Sequence, residues 1–217
     1  MEQVEFKTED GVKISGVYYK SPHGSPGVSL FHMMPSTKES WSDFAGKLNK
    51  AGAGVLAIDL RGHGTSEGGP EGYKKFSDED HQKSIMDARS AVLFQKKEGH
   101  RPIFVAGASI GANLALQILA LDPEIKGAIL FSPGLDYRGI NTLAYAQNIR
   151  PEQKVFIIAA NDDKRVSEAD RMAEEIFGEL STQNKEKEIF SIGGHGTDIL
   201  GVNPSLTDKL VNWIIKI

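Results

Sequence analysis

Five consecutive residues, Gly107-Ala108-Ser109-Ile110-Gly111, have the composition and spacing of a nucleophile elbow. They follow the apolar run Pro102–Ala106 and lead into the apolar stretch Ile110–Leu121, which puts the serine at a strand-to-helix turn. A serine raised on so sharp a turn needs neighbours without a Cβ, because a side chain there would clash with the flanking strand and helix. A serine hydroxyl is a weak nucleophile by itself. The chemistry implied is attack on a carbonyl, which needs a base and an orienting acid within reach.

Six histidines are present, and His195 is the candidate base. It stands in Gly193-Gly194-His195-Gly196, after the last strand pattern and before the last helix pattern, where glycines let an imidazole project over the strand ends. An incidental histidine in a glycine-rich turn would look the same in isolation. The order Ser…Asp…His along the chain favours the functional reading. The acid is expected after the apolar run Val155–Ala160, in Asn161-Asp162-Asp163, with Asp163 preferred, Asp162 in reserve and Asp136 a third candidate. Two backbone donors are needed for a developing oxyanion. The Ile110 N–H is one, and the loop after Val28–Met33 supplies the other from Met34, or else from Met33. Met33 and His32 are candidate pocket residues. The methionines fit core packing equally well, and His32, which precedes the elbow, fits a hydrogen-bonded loop anchor better than a base.

Asp59-Leu60-Arg61-Gly62-His63-Gly64 reads as a strand end whose charges hold a loop in shape. His32, His63 and Asp59 lack the tight ligand spacing of a metal centre, and Gly62-His63-Gly64 lacks the third glycine and following acid of a dinucleotide fingerprint. No metal and no cofactor is expected. His23, His81 and His100 sit in polar contexts and read as solvated.

Parallel strands buried on both faces should position this constellation. Short apolar runs occur at Val28–Met33, Val55–Leu60, Ile103–Ala106, Ala128–Phe131 and Val155–Ala160, with a weaker one at Glu188–Ile192. Helical patterns lie between and after them at Lys38–Ala51, Ser77–Lys97, Ile110–Leu121, Ser167–Leu180 and Ser205–Ile215. Val4–Lys7 and Val12–Lys20, joined by Glu9-Asp10-Gly11, predict an opening β-hairpin. The alternation specifies an α/β fold with a mostly parallel sheet. Ile110–Leu121 is apolar almost all round, so it should be a buried helix whose N-terminus directs free N–H groups at Ser109.

The chain has 217 residues, which suits a single domain, 1–217. It carries 40% hydrophobic and 25% charged residues and a net charge of −4, which argues against nucleic-acid or anionic-membrane partners. With no cysteine, disulfides and thiolate catalysis are excluded. Met1–Lys7 lacks a basic, then apolar, leader, and a cytoplasmic location is expected. The expected partner is a small ester; oligomeric state is left open.

The chain resembles the α/β-hydrolases, most closely the small, cap-poor serine esterases of the dienelactone-hydrolase and BAAT-like branch. The resemblance rests on Leu30-Phe31-His32 with its loop, Ala57-Ile58-Asp59-Leu60-Arg61-Gly62-His63-Gly64-Thr65-Ser66, Gly107–Gly111, Asp163 with Val166, and Gly194-His195-Gly196. It implies an eight-stranded, mostly parallel sheet with a Ser109, Asp163 and His195 triad at the strand ends, and little or no cap. Two departures bear on the activity: Met33 stands where such proteins usually have glycine, and the cysteine nucleophile of true dienelactone hydrolases is absent. The expected activity is hydrolysis of short-chain carboxylic esters. Thioesterase, acyltransferase, peptidase or perhydrolase activity would use the same triad, and a non-catalytic binding module is a further alternative.

Overall fold

A computed structural model describes residues 1–216. The chain opens with β1 (Glu2–Lys7) and β2 (Lys13–Tyr19), an antiparallel hairpin. Gly11 at its turn has φ +87°, a conformation open to residues without a Cβ. Next come β3 (Gly27–Phe31), a 3₁₀ turn at Lys38–Trp41, α1 (Ser42–Lys50), β4 (Gly54–Ile58) and a second 3₁₀ turn at Gly72–Lys75. The middle of the chain holds α2 (Asp78–Gln82), α3 (Ser84–Lys97), β5 (Ile103–Ala108), α4 (Ile110–Leu121) and β6 (Ile125–Phe131). A two-stranded ribbon, β7 (Asp136–Tyr137) and β8 (Ile140–Asn141), then leads into the single turn α5 (Leu143–Ala146). The chain closes with β9 (Lys154–Ala160), α6 (Ala169–Glu179), β10 (Lys185–Phe190), α7 (Asp198–Val202) and α8 (Pro204–Ile215).

Eight strands form one sheet in the order β1-β2-β4-β3-β5-β6-β9-β10. β1, β2 and β4 pair antiparallel, and every pairing from β4 through β10 is parallel. This is the α/β-hydrolase fold: a mostly parallel sheet with an N-terminal antiparallel hairpin, flanked by helices. The central strands alternate strictly between two cores. In β9, Val155, Ile157 and Ala159 face the core shared with α3, α4 and α6, while Phe156, Ile158 and Ala160 face the one shared with α1 and α8. Both faces of β9 are therefore apolar, as in a strand covered on two sides.

Several boundaries differ from the sequence patterns. β3 ends at Phe31 because the next carbonyls leave the ladder: the Met33 carbonyl accepts from the Ser36 N–H and from His32 Nδ1. β4 ends at Ile58 because the Leu60 N–H is taken by His32 Nε2. The helical pattern 77–97 breaks at Lys83 into α2, whose first turn is closed by a reciprocal Ser77–Asp80 capping box, and α3. β10 begins at Lys185, earlier than its apolar residues, because an edge strand pairs through its backbone on one side only and tolerates the charged run Lys185–Glu188. The β7–β8 ribbon, α5 and α7 carry too few periodic residues to stand out in the sequence. Among the described residues, no helix is long and apolar enough to cross a membrane.

The elbow glycines are required by close approach. A Cβ on Gly107 would lie 1.9 Å from the Gly111 carbonyl oxygen, and one on Gly111 would lie 2.3 Å from the Phe31 carbonyl oxygen. Gly46, midway along α1, has no atom within 4 Å of the equivalent position. In urea unfolding, Gly107→Ala is expected to lose about 3 kcal/mol or more from overpacking against backbone. Gly46→Ala should gain about 0.5–1 kcal/mol from helix propensity. Equal effects of the two substitutions would contradict this account.

Candidate active site

Ser109 sits between β5 and α4 with φ +54° and ψ −120°, the left-handed strain expected of a nucleophile elbow. Its N–H donates to the Phe131 carbonyl at 2.8 Å, and its carbonyl accepts from the N–H groups of Ala112 and Asn113. The Ile110 N–H has no partner among the described residues, nor does the Met34 N–H. Both are free donors at the C-terminal edge of the sheet, where ligands of open α/β sheets bind. The helix behind Ser109 is α4, whose aligned peptide dipoles place partial positive charge at its buried start.

The histidine and acid are brought together. His195 Nδ1 lies 2.6 Å from Asp163 Oδ2, and the two side chains are 3% and 1% exposed, so the contact is shielded from water. The second Asp163 oxygen accepts from the Arg165 and Val166 N–H groups at 2.9 and 3.1 Å. A carboxylate only accepts, so the His195 proton sits on Nδ1 and the Nε2 lone pair is left for another group. Asp162 has a different place: its Oδ1 takes the N–H groups of Gly193 and Gly194 at 2.8 and 2.9 Å, fixing the loop that carries His195. Those two backbone bonds hold the Asp162 carboxyl below its usual pKa. Asp136 is far from this role, exposed on the ribbon with its Oδ1 closing the turn onto the Gly139 N–H.

The histidine loop and the elbow meet at the end of β6. The Gly196 N–H donates to Ser132 Oγ at 2.9 Å, one residue after the carbonyl that receives Ser109. A Cβ on Gly196 would lie 3.2 Å from Ala108 Cβ and 2.6 Å from Met33 Sδ, so glycine is needed where this loop crosses the elbow and the Met33–Met34 loop.

Met33 lines a cavity of about 860 Å³ that runs between α1 and the α7–α8 segment. His32 does not line a pocket, contrary to the expectation from sequence. It is fully buried beneath the loop, its Nδ1–H donating to the Met33 carbonyl and its Nε2 accepting from the Leu60 N–H. Because the Met33 carbonyl belongs to the same peptide unit as the Met34 N–H, His32 and the Ser36 N–H together aim that donor. Asp59 and Arg61 also hold loops: Asp59 binds Lys38 and Thr65, and Arg61 bridges Asp87 and Asp10. His63, His81 and His100 are all nearly inaccessible. For His81 and His100 this corrects the solvated reading: His81 packs edge-on against Phe76, and His100 bonds the Tyr18 hydroxyl at 2.6 Å.

Residues that the sequence did not single out complete the surroundings. Tyr137, on the ribbon, donates its hydroxyl to the Ser132 carbonyl at 3.4 Å and lies in the field of Asp163. Burial first, then that acid's charge, pushes its phenol up to about 12. Asn113, buried in α4, ties the ribbon down through Ile140 and Gly134. Arg165 donates to the Met34 carbonyl at 2.8 Å, strapping the Asp163 loop to the Met33–Met34 loop. A polar residue inside a mostly apolar helix was the available signal for Asn113. For Tyr137 and Arg165 there was none.

Residues 26–152, more than half of the chain, match the hydrolase family described as "Serine aminopeptidase, S33". The chain belongs to this family. It is thus a member of the α/β-hydrolase superfamily. The hydrolase is 31% identical to the polyketide transferase ATR5 of Stachybotrys chlorohalonatus over 140 residues, 63% of this chain and 46% of that protein. It is 30% identical to the thiohydrolase aneE of Aspergillus aculeatus over 135 residues, 60% of this chain and 41% of that protein. The matched segment thus spans less than half the length of these relatives. Among solved structures, the Pyrococcus furiosus esterase Pf2001 superposes with a TM-score of 0.81 at 24% identity, covering 98% of this chain and 89% of that one. The α/β hydrolase GrgF from Penicillium sp. sh18 gives 0.78 at 18% identity, covering 100% and 99%.

The hydrolase's His32 has a measurable consequence. Burial, and then the neighbouring His63, bring its pKa down from 6.5 to about 4. It folds neutral, so its stabilisation is complete above the unfolded value and is lost as pH falls toward the folded one. Between pH 7 and pH 5 that loss should be about 2 kcal/mol. Urea unfolding at the two pH values should show a shallower loss in His32→Gln than in the wild type. Equal losses would mean that His32 does not titrate in this way.

Proposed function

We propose that the protein hydrolyses short-chain carboxylic esters, with Ser109 as nucleophile, His195 as general base and acid, and Asp163 as its orienting partner. The observation that carries this reading is the buried His195–Asp163 contact, which leaves Nε2 as the proton acceptor on a loop packed against the elbow. Attack by Ser109 Oγ on the ester carbonyl transfers its proton to His195 Nε2. The N–H groups of Ile110 and Met34 receive the developing oxyanion, and Asp163 stabilises the imidazolium. His195 then protonates the departing alkoxide. Water, deprotonated by the same nitrogen, resolves the acyl-enzyme. Residues 1–217 are read as one domain because every member of this site comes from the ends of one sheet.

A short acyl chain is favoured because the segment between β6 and β9 holds only a small ribbon and one helical turn, with no apolar lid. This also supports kinship with the cap-poor esterases of the dienelactone-hydrolase and BAAT-like branch. Thioester cleavage or acyl transfer is the second reading, supported by relatives named as a thiohydrolase and a polyketide transferase. The same attack serves both, and only the leaving group or acceptor changes.

Ser109→Ala and His195→Ala should each lower turnover of p-nitrophenyl acetate and butyrate by about 10⁴- to 10⁶-fold while leaving the urea midpoint close to wild type. Rates should fall along the series from butyrate to palmitate. Wild-type rates in either folded variant would refute the assignment.

A further inference from the structure

A cleft of about 480 Å³ adjoins the oxyanion loop, its walls including Met34, Tyr73, Phe76, Lys74, Arg138 and Arg165. That volume is typical of a small-molecule site. None of its lining residues is acidic, in a chain whose net charge is −4. The cations converge from separate segments: Lys74 from a 3₁₀ turn, Arg138 from the ribbon turn and Arg165 from the loop after β9. Tyr73 is held in place by stacking on buried His63, with ring centroids 4.2 Å apart and planes 7° from parallel.

Their charges are only partly met. Lys74 pairs with exposed Glu71, and the Asp78 carboxylate stands 3.7 Å from Arg138, beyond hydrogen-bond length. Arg165 has no carboxylate within salt-bridge distance among the described residues and is satisfied only by the Met34 carbonyl and Met33 Sδ. Arg138 also adopts φ +58°, followed by Gly139 at φ +79°. Such a turn normally takes asparagine, aspartate or glycine at its first left-handed position. An arginine there sits in a conformation that disfavours any Cβ.

Three of the cleft's residues adjoin the site along the chain. Arg138 follows Tyr137, whose hydroxyl donates to the Ser132 carbonyl at the strand end that also holds the Ser109 N–H; Arg165 lies two residues past Asp163; Met34 carries the free N–H. Building on the hydrolase reading above, we propose that the natural ester or thioester bears a second, anionic group. Its carboxylate or phosphate seats among Lys74, Arg138 and Arg165 while its carbonyl lies over Ser109. Guanidinium groups suit both anions through charge-assisted, often bidentate bonds.

Matched substrates separate the two sources of the anion. On the acyl side, p-nitrophenyl hemisuccinate is compared with p-nitrophenyl butyrate; on the leaving-group side, butanoyl-coenzyme A is compared with S-butanoyl-N-acetylcysteamine. At low ionic strength, kcat/KM for one anionic member should exceed that of its neutral partner by about tenfold or more, and 0.5 M salt should shrink the ratio. In the Lys74→Gln/Arg138→Gln double variant the ratio should drop toward one. Calorimetric titration of Ser109→Ala with monomethyl glutarate and with coenzyme A reads binding without turnover, and one of them should bind in a way the double substitution abolishes. If no ester reacts but that binding is present, the hydrolase reading fails and the anion site stands. Ratios near one for both pairs, or no charge-dependent binding, overturn the anion site whatever the esterase result.

Discussion

The close approach of helix α4 to the ends of β3 and β5 is the constraint on which the rest of the structure depends. With backbone atoms where the Cβ atoms of residues 107 and 111 would be, the helix can start only one residue after the strand. That abrupt start forces Ser109 into left-handed geometry and leaves the Ile110 N–H without an intrahelical partner. Burial on α4 keeps the strained turn in place: all but Gln117 and Leu121 of its twelve residues are buried. Local strain of this kind persists only when surrounding packing over-determines it.

Around this rigid turn the other parts are positioned by buried polar contacts more than by apolar packing. His32 spans two loops, with one nitrogen on the Met33 carbonyl and the other on the Leu60 N–H. The neighbouring aspartates divide their work. Asp163 orients the imidazole, while Asp162 binds the backbone that carries it. Asn113 extends the hold of α4 to the ribbon and so to Tyr137. His32, Asp163 and Asn113 each bind two separate partners, which makes their replacement by an apolar residue costly: a buried partner is left bare.

Much of the sheet was legible because strands covered on both faces demand continuous apolar runs, as in Val155–Ala160. Edge strand β10 was displaced in the reading because its outer positions answer to water, not to a core. The histidines misled for a related reason. Polar neighbours in sequence say little about His81 or His100, whose surroundings come from Phe76 and from distant Tyr18. Tyr137, Arg138 and Arg165 were invisible because they belong to irregular segments with no periodicity, where side-chain direction depends on turns.

By itself the sequence determined the order of strands and helices, the glycine-flanked serine and the Ser…Asp…His succession, since local sterics and hydrophobic period act over a few residues. Only the tertiary structure decided that Asp163 and not Asp162 meets His195, that His32 lies under the Met33–Met34 loop, and that three cations share a cleft with Met34. Those outcomes depend on loops distant in sequence being carried to one edge of a sheet. No spacing rule along the chain encodes which of two adjacent carboxylates will face inward there.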